Sequence, residues 1–420
     1  SGISSFQALA VSISGRVGTG NIAGVATAIA LGGPGAIFWM WAIAFLGSAS
    51  AYIEATLAQI YKVEKFGEYR GGPAYYIEKG LGQKWYAILF VIVTIIAMGL
   101  FLPGVQSNSI ALGLEHAFQL PRYITGIVIV AFLGLIIFGG IKRIGNVAQI
   151  VVPFMSIAYM IAAIIIIAMN IEKVPGIFML IINSAFGSHQ AFAGIVGSAI
   201  SWGVKRGIYS NEAGQGSAPH AAAAAEVTHP AKQGLVQAFS VYVDTLFICS
   251  ATAFMILITG TYNVITESAG AIVENIPGVQ IGPAYTQMAV ESSFGFGAEF
   301  VGISLFFFAF TTLMAYYYIA ETNVAYLEKS SKQKWMITAL RIMILGSTFY
   351  GAVKTAKLAW GLGDLGVGMM AWLNIIAIVL LSKPALKALR DYERQKSEGL
   401  DPTFDPKKLG IKNADFWNKT

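Results

Sequence analysis

The chain has 420 residues, of which 56% are hydrophobic and only 12% are charged. Its mean hydropathy is +0.65. A soluble domain carries about 25% charged residues, so this composition excludes an ordinary soluble, disordered or fibrous protein and predicts a polytopic membrane protein. The single cysteine, Cys249, excludes an internal disulfide and a thiolate metal cluster, and the four histidines have no zinc or haem spacing. We therefore expect no enzymatic cofactor.

Ten apolar stretches are long enough to cross a bilayer as helices, which takes about 20 residues each. In chain order they cover residues 4–31, 34–61, 84–116, 122–140, 145–169, 188–207, 233–259, 297–328, 335–352 and 358–382. The polar segment 383–420 is predicted to form an amphipathic helix followed by loosely held chain. The first residues lack the basic leader and cleavage pattern of a secretory signal peptide, so we expect none.

Lysine and arginine residues are unevenly distributed between the two sides of the predicted membrane. If the N-terminus is inside, 22 of the 28 lie in inside loops and the tail, including Lys205 and Arg206 between spans six and seven, and four lie outside. This bias predicts a protein of the cell membrane with the N-terminus of this chain and its C-terminal tail in the cytoplasm. The basic pI of 9.1 then reflects topology, and no nucleic-acid partner is expected.

The longest outer segment, residues 260–296, is acidic and contains two Pro-Gly or Gly-Pro pairs. A loop of this length between spans seven and eight could fold over a pore entrance as a lid. A passive surface loop is the alternative, and the sequence does not separate the two.

Span one contains three glycines in six positions, together with Arg16 and Asn21. Each glycine costs about 1 kcal/mol relative to alanine inside a helix, so we expect the chain to be unwound over residues 15–21. Free N–H groups and carbonyls there could face ligands, and a half-helix beginning after Asn21 would direct its positive end at a carboxylate. Close helix packing through small residues is the alternative. The candidate substrate-binding residues of this segment are Gly18, Thr19, Gly20 and Asn21.

Span six is also rich in glycine, and we predict a second broken helix near residues 192–198. Paired broken helices at the start of two five-helix halves are typical of inverted repeats, with substrate and ions held between them at the membrane midplane. The predicted organisation is a first repeat at 1–170, a second at 171–382 and a tail at 383–420. Residues proposed for the substrate pocket in span six are Phe192, Gly194, Ser198 and Trp202, although both aromatic rings could instead pack between helices or face lipid.

Several polar side chains lie alone in apolar spans, where an ionisable group is usually paired or functional. Asp244 could bind a cation, carry a proton or pair with Arg16, and Glu54 could hold the exposed amides of the broken helices. Thr311 and Thr312 offer neutral oxygen ligands to a small cation, although threonine often bonds a carbonyl of its own helix instead. Gln106 could form a substrate wall or a bond between helices.

Four sequence motifs carry a resemblance to a known family. They read VGTGNIAGVA at 17–26, GGPGAIFWMW at 32–41, GGPA at 71–74 and SNEAGQGSAP at 210–219. Over essentially the whole chain, the sequence closely resembles the alanine or glycine:cation symporter family. The resemblance implies an all-α membrane protein of the leucine-transporter type, with two inverted repeats of five helices, that imports alanine or glycine with sodium. Members of that family usually carry one further hydrophobic segment before the first broken helix.

The resemblance also implies sites. Asn21 corresponds to a sodium ligand beside the substrate carboxylate, and Thr311 and Thr312 to a hydroxyl pair that holds a second sodium with carbonyls near Ser14 and Val17. Asp244 stays a further candidate cation ligand. Structural or gating roles are expected for Arg16, Glu54 and Glu212.

Three other functions compete with sodium-coupled symport. A proton could replace sodium, with Asp244 as its carrier. A passive channel would favour a continuous polar pore over two broken helices. A membrane enzyme would need a nucleophile–base pair or a metal cluster, which the sequence does not show.

Overall fold

The computed structural model describes residues 2–330 and 334–419, and helices dominate it. The first helix begins with a capping box, in which Ser4 and Gln7 exchange backbone-to-side-chain hydrogen bonds of 3.0 Å. The first half of the chain forms α1 (Ser5–Arg16), α2 (Ala23–Gly32), α3 (Gly35–Ile60), the hairpin β1 (Val63–Lys65) and β2 (Glu68–Arg70), α4 (Pro73–Tyr76), α5 (Lys84–Ile96), α6 (Pro103–Phe118), α7 (Arg122–Ile137) and α8 (Gly140–Met169).

The second half of the chain follows the same helical pattern and adds a second hairpin. Its elements are α9 (Val174–Ala185), α10 (Val196–Asn211), α11 (Pro219–Ala224), α12 (Pro230–Tyr242), α13 (Ser250–Thr259), the hairpin β3 (Asn263–Thr266) and β4 (Gly270–Glu274), α14 (Pro283–Glu291), α15 (Gly297–Leu327), α16 (Trp335–Val353), α17 (Ala356–Leu380) and α18 (Ser382–Ser397). Both hairpins are antiparallel. A π-helical segment, Val243–Cys249, joins α12 to α13.

Helical segments occupy all ten of the predicted apolar stretches. Among the described residues, seven segments are long and apolar enough to cross a membrane, and Ala23–Gly32 and Arg122–Ile137 are shorter apolar helices. The protein is therefore a helical, multi-pass membrane protein. Four helices were not anticipated, α4, α9, α11 and α14, because all four are short and lie outside the apolar stretches.

Two of the spans are interrupted between consecutive α-helices, at 17–22, which includes the 3₁₀ turn Thr19–Asn21, and at 212–218. The first lies where the glycine run of span one predicts it. The second lies well after the predicted position of 192–198, where only a short 3₁₀ turn, Ala193–Ile195, leads into α10. Glycines in α10 serve close packing instead, since a methyl group at Gly207 would lie 2.5 Å from Ile43 of α3. The later interruption turns through Gly214 and Gly216, whose φ angles of 80° and 90° favour glycine.

The two interrupted spans lie side by side. α1 packs against α11, and α2 packs against α10. α2 contacts β3 of the second hairpin and α14. We call the side of the molecule that these elements cover the lid face, and Gly32–Gly33 the lid-face end of α2. Thr286 of α14 lies with its hydroxyl 3.4 Å from the Ile22 carbonyl. Segment 260–296 therefore folds over the first interruption, as a lid would.

The opposite side, which we call the tail face, is formed by residues 61–72, 225–229 and 398–419. The Trp417 indole donates to the Gln59 carbonyl at 2.7 Å, and Lys62 lies 4.6 Å from the ring centres of Tyr69 and Phe416. The end of the tail is thus packed against the bundle and is not loosely held. The tail contains few aromatic residues, and the residues that they contact, such as Lys62 and Gln59, are distant in the sequence and are brought to them only by the fold.

Lys205 and Arg206 do not lie in a loop on the tail face, contrary to the charge count. Both are in α10, which ends only at Asn211. The error follows from the apparent end of span six at 207, because the polar residues after it are buried inside the protein instead of facing water.

Candidate functional site

The centre of the molecule holds the unwound segment between α1 and α2, and its backbone is held by side chains. The Gly18 amide donates to Oδ1 of Asn21 at 2.9 Å, and the Thr19 amide donates to Oε1 of Gln106 at 3.0 Å. Thr19, Asn21 and Gln106 are at most 1% exposed. A methyl group at Gly18 would lie 2.5 Å from the Thr312 hydroxyl, so only glycine fits at this crossing. Two helices that are distant in the sequence, α6 and α15, therefore meet the backbone of the unwound segment.

Gln106 links this segment to two tyrosine rings. Its amide group donates to the hydroxyl of Tyr209 on α10 at 2.9 Å and to that of Tyr316 on α15 at 3.3 Å. Both rings are buried. The rings and the amide together form one wall beside the unwound segment.

Asp244 is the second anchor of Asn21. The Asn21 amide donates to Oδ1 of Asp244 at 2.8 Å, while Ser210 and Thr245 donate to Oδ2 at 2.9 Å. The carboxylate is fully buried at the start of the π-helical segment. Among the described residues no ion pair joins it to Arg16 within 4.0 Å, so the side-chain pairing considered from the sequence is not formed. Cys249 completes the group, with its sulfur 3.3 Å from the Asn21 amide and 3.2 Å from the Ser210 hydroxyl.

The two threonines of α15 behave differently. The Thr312 hydroxyl lies 2.5 Å from the Ser14 carbonyl and 3.2 Å from the Val17 carbonyl, at the C-terminal end of α1. Both hydroxyls also bond carbonyls of their own helix, Thr312 that of Phe308 at 3.1 Å and Thr311 those of Phe307 and Phe308 at 3.0 Å. Among the described residues, only Thr312 adds carbonyls of α1. The last carbonyls of a helix have no partner within the helix and carry its negative pole. Thr312, Ser14 and Val17 thus offer neutral oxygens and a favourable dipole to a small cation.

Buried charges hold the second interruption in place. Glu54 accepts hydrogen bonds from the amides of Gly214 at 3.1 Å and Gly216 at 3.2 Å, and from the Asn374 side chain at 2.8 Å. These are the contacts expected of Glu54, a carboxylate that holds exposed amides. Glu212 accepts from the Ser217 hydroxyl at 2.5 Å within the same turn.

Arg16 ties the end of α1 to the end of α10. Its Nε donates to the Ser240 hydroxyl at 2.8 Å, and one terminal nitrogen donates to the carbonyl of Asn211. Arg16 therefore joins the two interruptions to each other.

Four predicted pocket residues lie elsewhere. Phe192 is beside Gly33, and Ser198 and Trp202 pack against Gly32, at the lid-face end of α2. Gly194, in the turn before α10, is exposed. α2 has 10 residues, so at 1.5 Å per residue its far end is about 15 Å from the unwound segment. The structure does not bring these four residues together with Gly18–Asn21.

The residues that take their place were not singled out from the sequence as ligands. Tyr209, Ser210 and Cys249 contact the site, as Tyr316 does. Ser210 opens one of the family motifs, which was a usable signal. Cys249 and Tyr316 lie in apolar runs, where nothing in the pattern distinguishes a site residue from a packing residue.

Comparisons with known proteins agree on one family. The sequence profile described as the sodium:alanine symporter family matches residues 1–406. YrbD of Bacillus subtilis, a putative sodium/proton-dependent alanine carrier protein, is 66% identical over 100% of this chain and 87% of its own length. The sodium/proton-dependent alanine carrier protein of Bacillus sp. PS3 is 56% identical over 99% of this chain and 94% of its own length.

The fold also resembles that of a solved membrane transporter. A manganese transporter of Eremococcus coleocola superposes with a TM-score of 0.54 at 11% identity, covering 99% of this chain and 84% of that chain. At so low an identity the similarity concerns the fold alone.

Proposed function

Because this chain belongs to the sodium:alanine symporter family, we propose that it imports alanine or glycine together with sodium by alternating access. The observation that carries the proposal is the unwound segment Gly18–Asn21. There, amide donors and helix-end carbonyls meet buried side chains at the middle of the bundle. Irregular backbone at membrane depth is tolerated where it is buried in protein or lines a cavity, and in transporters such breaks hold substrate and ions.

In the proposed substrate site, one set of groups binds the carboxylate of the amino acid and another set surrounds the rest of the molecule. The first-turn amides of α2 carry the positive pole of that helix and suit the carboxylate, and Thr19 and Asn21 supply side-chain oxygens. Tyr209, Tyr316 and Gln106 form the opposing wall. Because this wall is closely packed, each extra side-chain atom of a larger amino acid would have to displace it. Small substrates are therefore favoured by exclusion.

The proposed sodium site consists of the Thr312 hydroxyl and the Ser14 and Val17 carbonyls. Asn21 and Asp244 form a second candidate cation site beside the substrate. Asp244 also supports the alternative of proton coupling, because a buried carboxylate with no basic partner among the described residues can carry a proton. The two Bacillus relatives are named for both ions.

We further propose that residues 1–170 and 171–382 form two inverted five-helix repeats. The interrupted spans pair as α1 with α11 and α2 with α10, while α3 packs on α12 and α6 on α15, helices in corresponding places of the two halves. An odd number of spans per half inverts the second half relative to the first. The tail face carries most of the loop lysines and arginines, so we assign it and both chain ends to the cytoplasm.

Uptake of labelled alanine into proteoliposomes tests the function. We expect uptake above the external concentration under an inward sodium gradient, and its loss when a sodium ionophore collapses that gradient. Equal uptake with and without gradients would indicate a passive facilitator and contradict symport. Replacing the sodium gradient by a proton gradient, in the native chain and in Asp244→Asn, separates the two coupling ions. If protons drive uptake, Asp244→Asn should abolish that component and leave sodium-driven exchange measurable.

A further inference from the structure

A buried ion pair lies between the site and the lid face. Arg206 of α10 is 1% exposed, and one of its terminal nitrogens lies 2.6 Å from a carboxylate oxygen of Asp364 on α17. The Asp364 side chain is 30% exposed. The pair therefore joins the sixth and tenth spans, and one partner is covered while the other is partly exposed.

Aromatic rings enclose the Arg206 guanidinium. Its central carbon lies 4.4 Å from the ring centre of Trp360, 5.4 Å from that of Trp202 and 5.7 Å from that of Tyr209. The rings of Tyr209 and Trp360 are themselves 4.8 Å apart. Cation–π contacts of this kind attract a guanidinium to the faces of the rings without requiring its N–H groups to point at particular acceptors. The cage thus binds the cation without fixing its hydrogen bonds.

This cluster covers the substrate site directly. Tyr209 is one helical turn after Arg206, and its hydroxyl accepts from Gln106, which in turn accepts from the Thr19 amide. A methyl group at Gly24, in the first turn of α2, would lie 3.6 Å from Trp360. Since α10 begins near the lid-face end of α2 and ends at the second interruption, Arg206 lies on the lid side of the unwound segment.

The hydrogen bonding of Arg206 is incomplete. Within the part of the chain that the structure describes, its Nε and other terminal nitrogen have no hydrogen-bond partner. A permanently closed structural ion pair would be expected to satisfy these donors, since a buried donor without a partner destabilises the folded protein. An interaction that must break and re-form gains from a partner that can return to water, and Asp364 is such a partner.

We propose that Arg206 and Asp364 form the outer gate of the transport path, with Trp360 and Tyr209 as its aromatic roof. When the pair is closed, it holds α17 against α10 and covers the unwound segment from the lid face. When the pair opens, Asp364 moves into water and the roof separates, while Arg206 stays on α10. This inference rests on the proposed function in one respect, that a substrate path runs from the lid face to Gly18–Asn21.

Cys249 provides a native reporter for the gate, because it is the only cysteine in the chain and its sulfur lies beside Asn21 and Ser210. We would measure its modification by a membrane-impermeant methanethiosulfonate reagent in intact cells and in inverted membrane vesicles, without sodium or alanine. Asp364→Asn should speed modification roughly five- to tenfold from the membrane side that holds the lid. A tenfold change corresponds to about 1.4 kcal/mol.

Three controls define the comparison. Cys249→Ser in the same background should remove labelling. Asp401→Asn breaks an exposed ion pair with Lys232 on the tail face and should leave the labelling rate unchanged. Gln280→Cys, on the lid segment, in a Cys249→Ser background reports which side of the membrane holds the lid.

The proposal is overturned if Asp364→Asn labels at the native rate from both sides, or faster from both sides equally. If that variant does not reach the membrane, Trp360→Leu removes the roof but keeps the ion pair, and the same criteria apply to it. Because no substrate or sodium is present, the result does not depend on what the protein carries. Absence of alanine uptake by the native chain would refute the proposed function and leave the gate measurement intact.

Discussion

Removing one hydroxyl from α15 tests the assignment of the sodium site. Thr312→Val preserves the shape of the side chain but removes an oxygen that lies 2.5 Å from the Ser14 carbonyl and 3.2 Å from the Val17 carbonyl. Thr311→Val is the matched control, because the neighbouring hydroxyl bonds only carbonyls of its own helix and a sulfur of α8. The two variants are the same substitution at adjacent positions, and only one of them faces α1.

The size of the effect follows from the difference between two states. Without sodium, the Thr312 hydroxyl makes a neutral hydrogen bond worth about 0.5–1.5 kcal/mol, whereas a contact with a charged group is worth about 1.5–3 kcal/mol. The lower and upper ends of these ranges differ by about 1–1.5 kcal/mol, which should weaken sodium binding roughly five- to twelvefold. For Thr311→Val we expect a change of less than about twofold, since its bonds are the same in both states.

Sodium-dependent alanine uptake in proteoliposomes measures both variants. The half-saturating sodium concentration should rise for Thr312→Val, while alanine affinity at saturating sodium changes less. Equal shifts in the two variants would mean that α15 is perturbed as a whole. A native sodium dependence in Thr312→Val would refute the assignment of the site to this hydroxyl.

Three further predictions concern the backbone, its support and the tail. Gly18→Ala should reduce alanine binding by at least roughly tenfold, because the added methyl meets the Thr312 hydroxyl at 2.5 Å; native affinity by calorimetry would contradict the proposed site. Glu54→Gln replaces a carboxylate oxygen by an amide donor that faces the backbone amide donors of the second interruption. This should lower the free energy of unfolding by about 1–3 kcal/mol and lower the melting temperature, whereas the exposed control Glu267→Gln should leave it unchanged. Equal melting temperatures for the two variants would refute the role of Glu54 in holding these amides. Burial lowers the pKa of Lys62 from 10.5 to about 7. Between these pH values Lys62 is therefore less protonated when the tail is docked than when the tail is released. Docking of the tail should strengthen as pH rises through this range. Slower tryptic cleavage of the tail at pH 9 than at pH 7, relative to an unfolded standard, would show this, and the trend should vanish in Lys62→Met.

Local sequence determined those features that depend on a few consecutive residues. The ten apolar stretches fixed where helices form, because each must satisfy its backbone within the bilayer. The glycine run in span one fixed the first interruption, because helix propensity is a local property. Glu54 was also accessible to sequence reasoning, since a lone carboxylate among apolar residues requires donors, and exposed amides of a broken helix are the donors available.

Tertiary structure decided what depends on which residues meet. The sequence alone cannot distinguish Thr311 from Thr312, because both are threonines in the same apolar span. Only the crossing of α1 and α15 places the Thr312 hydroxyl, and not that of Thr311, next to the Ser14 carbonyl. Glycine in span six could equally allow unwinding or close packing, and contact with α3 selected packing for α10, moving the interruption to 212–218.

Arg206 shows that the surroundings of a charged residue, too, cannot be predicted from the local sequence. In the sequence it marks the end of an apolar stretch, and in the structure it is buried against Trp360 and Asp364, which lie more than 150 residues later. Contacts at such separation depend on how whole helices pack, and no local pattern encodes them. The chemistry of each span was therefore set by the sequence, while the partners that turn this chemistry into a site and a gate were set by the fold.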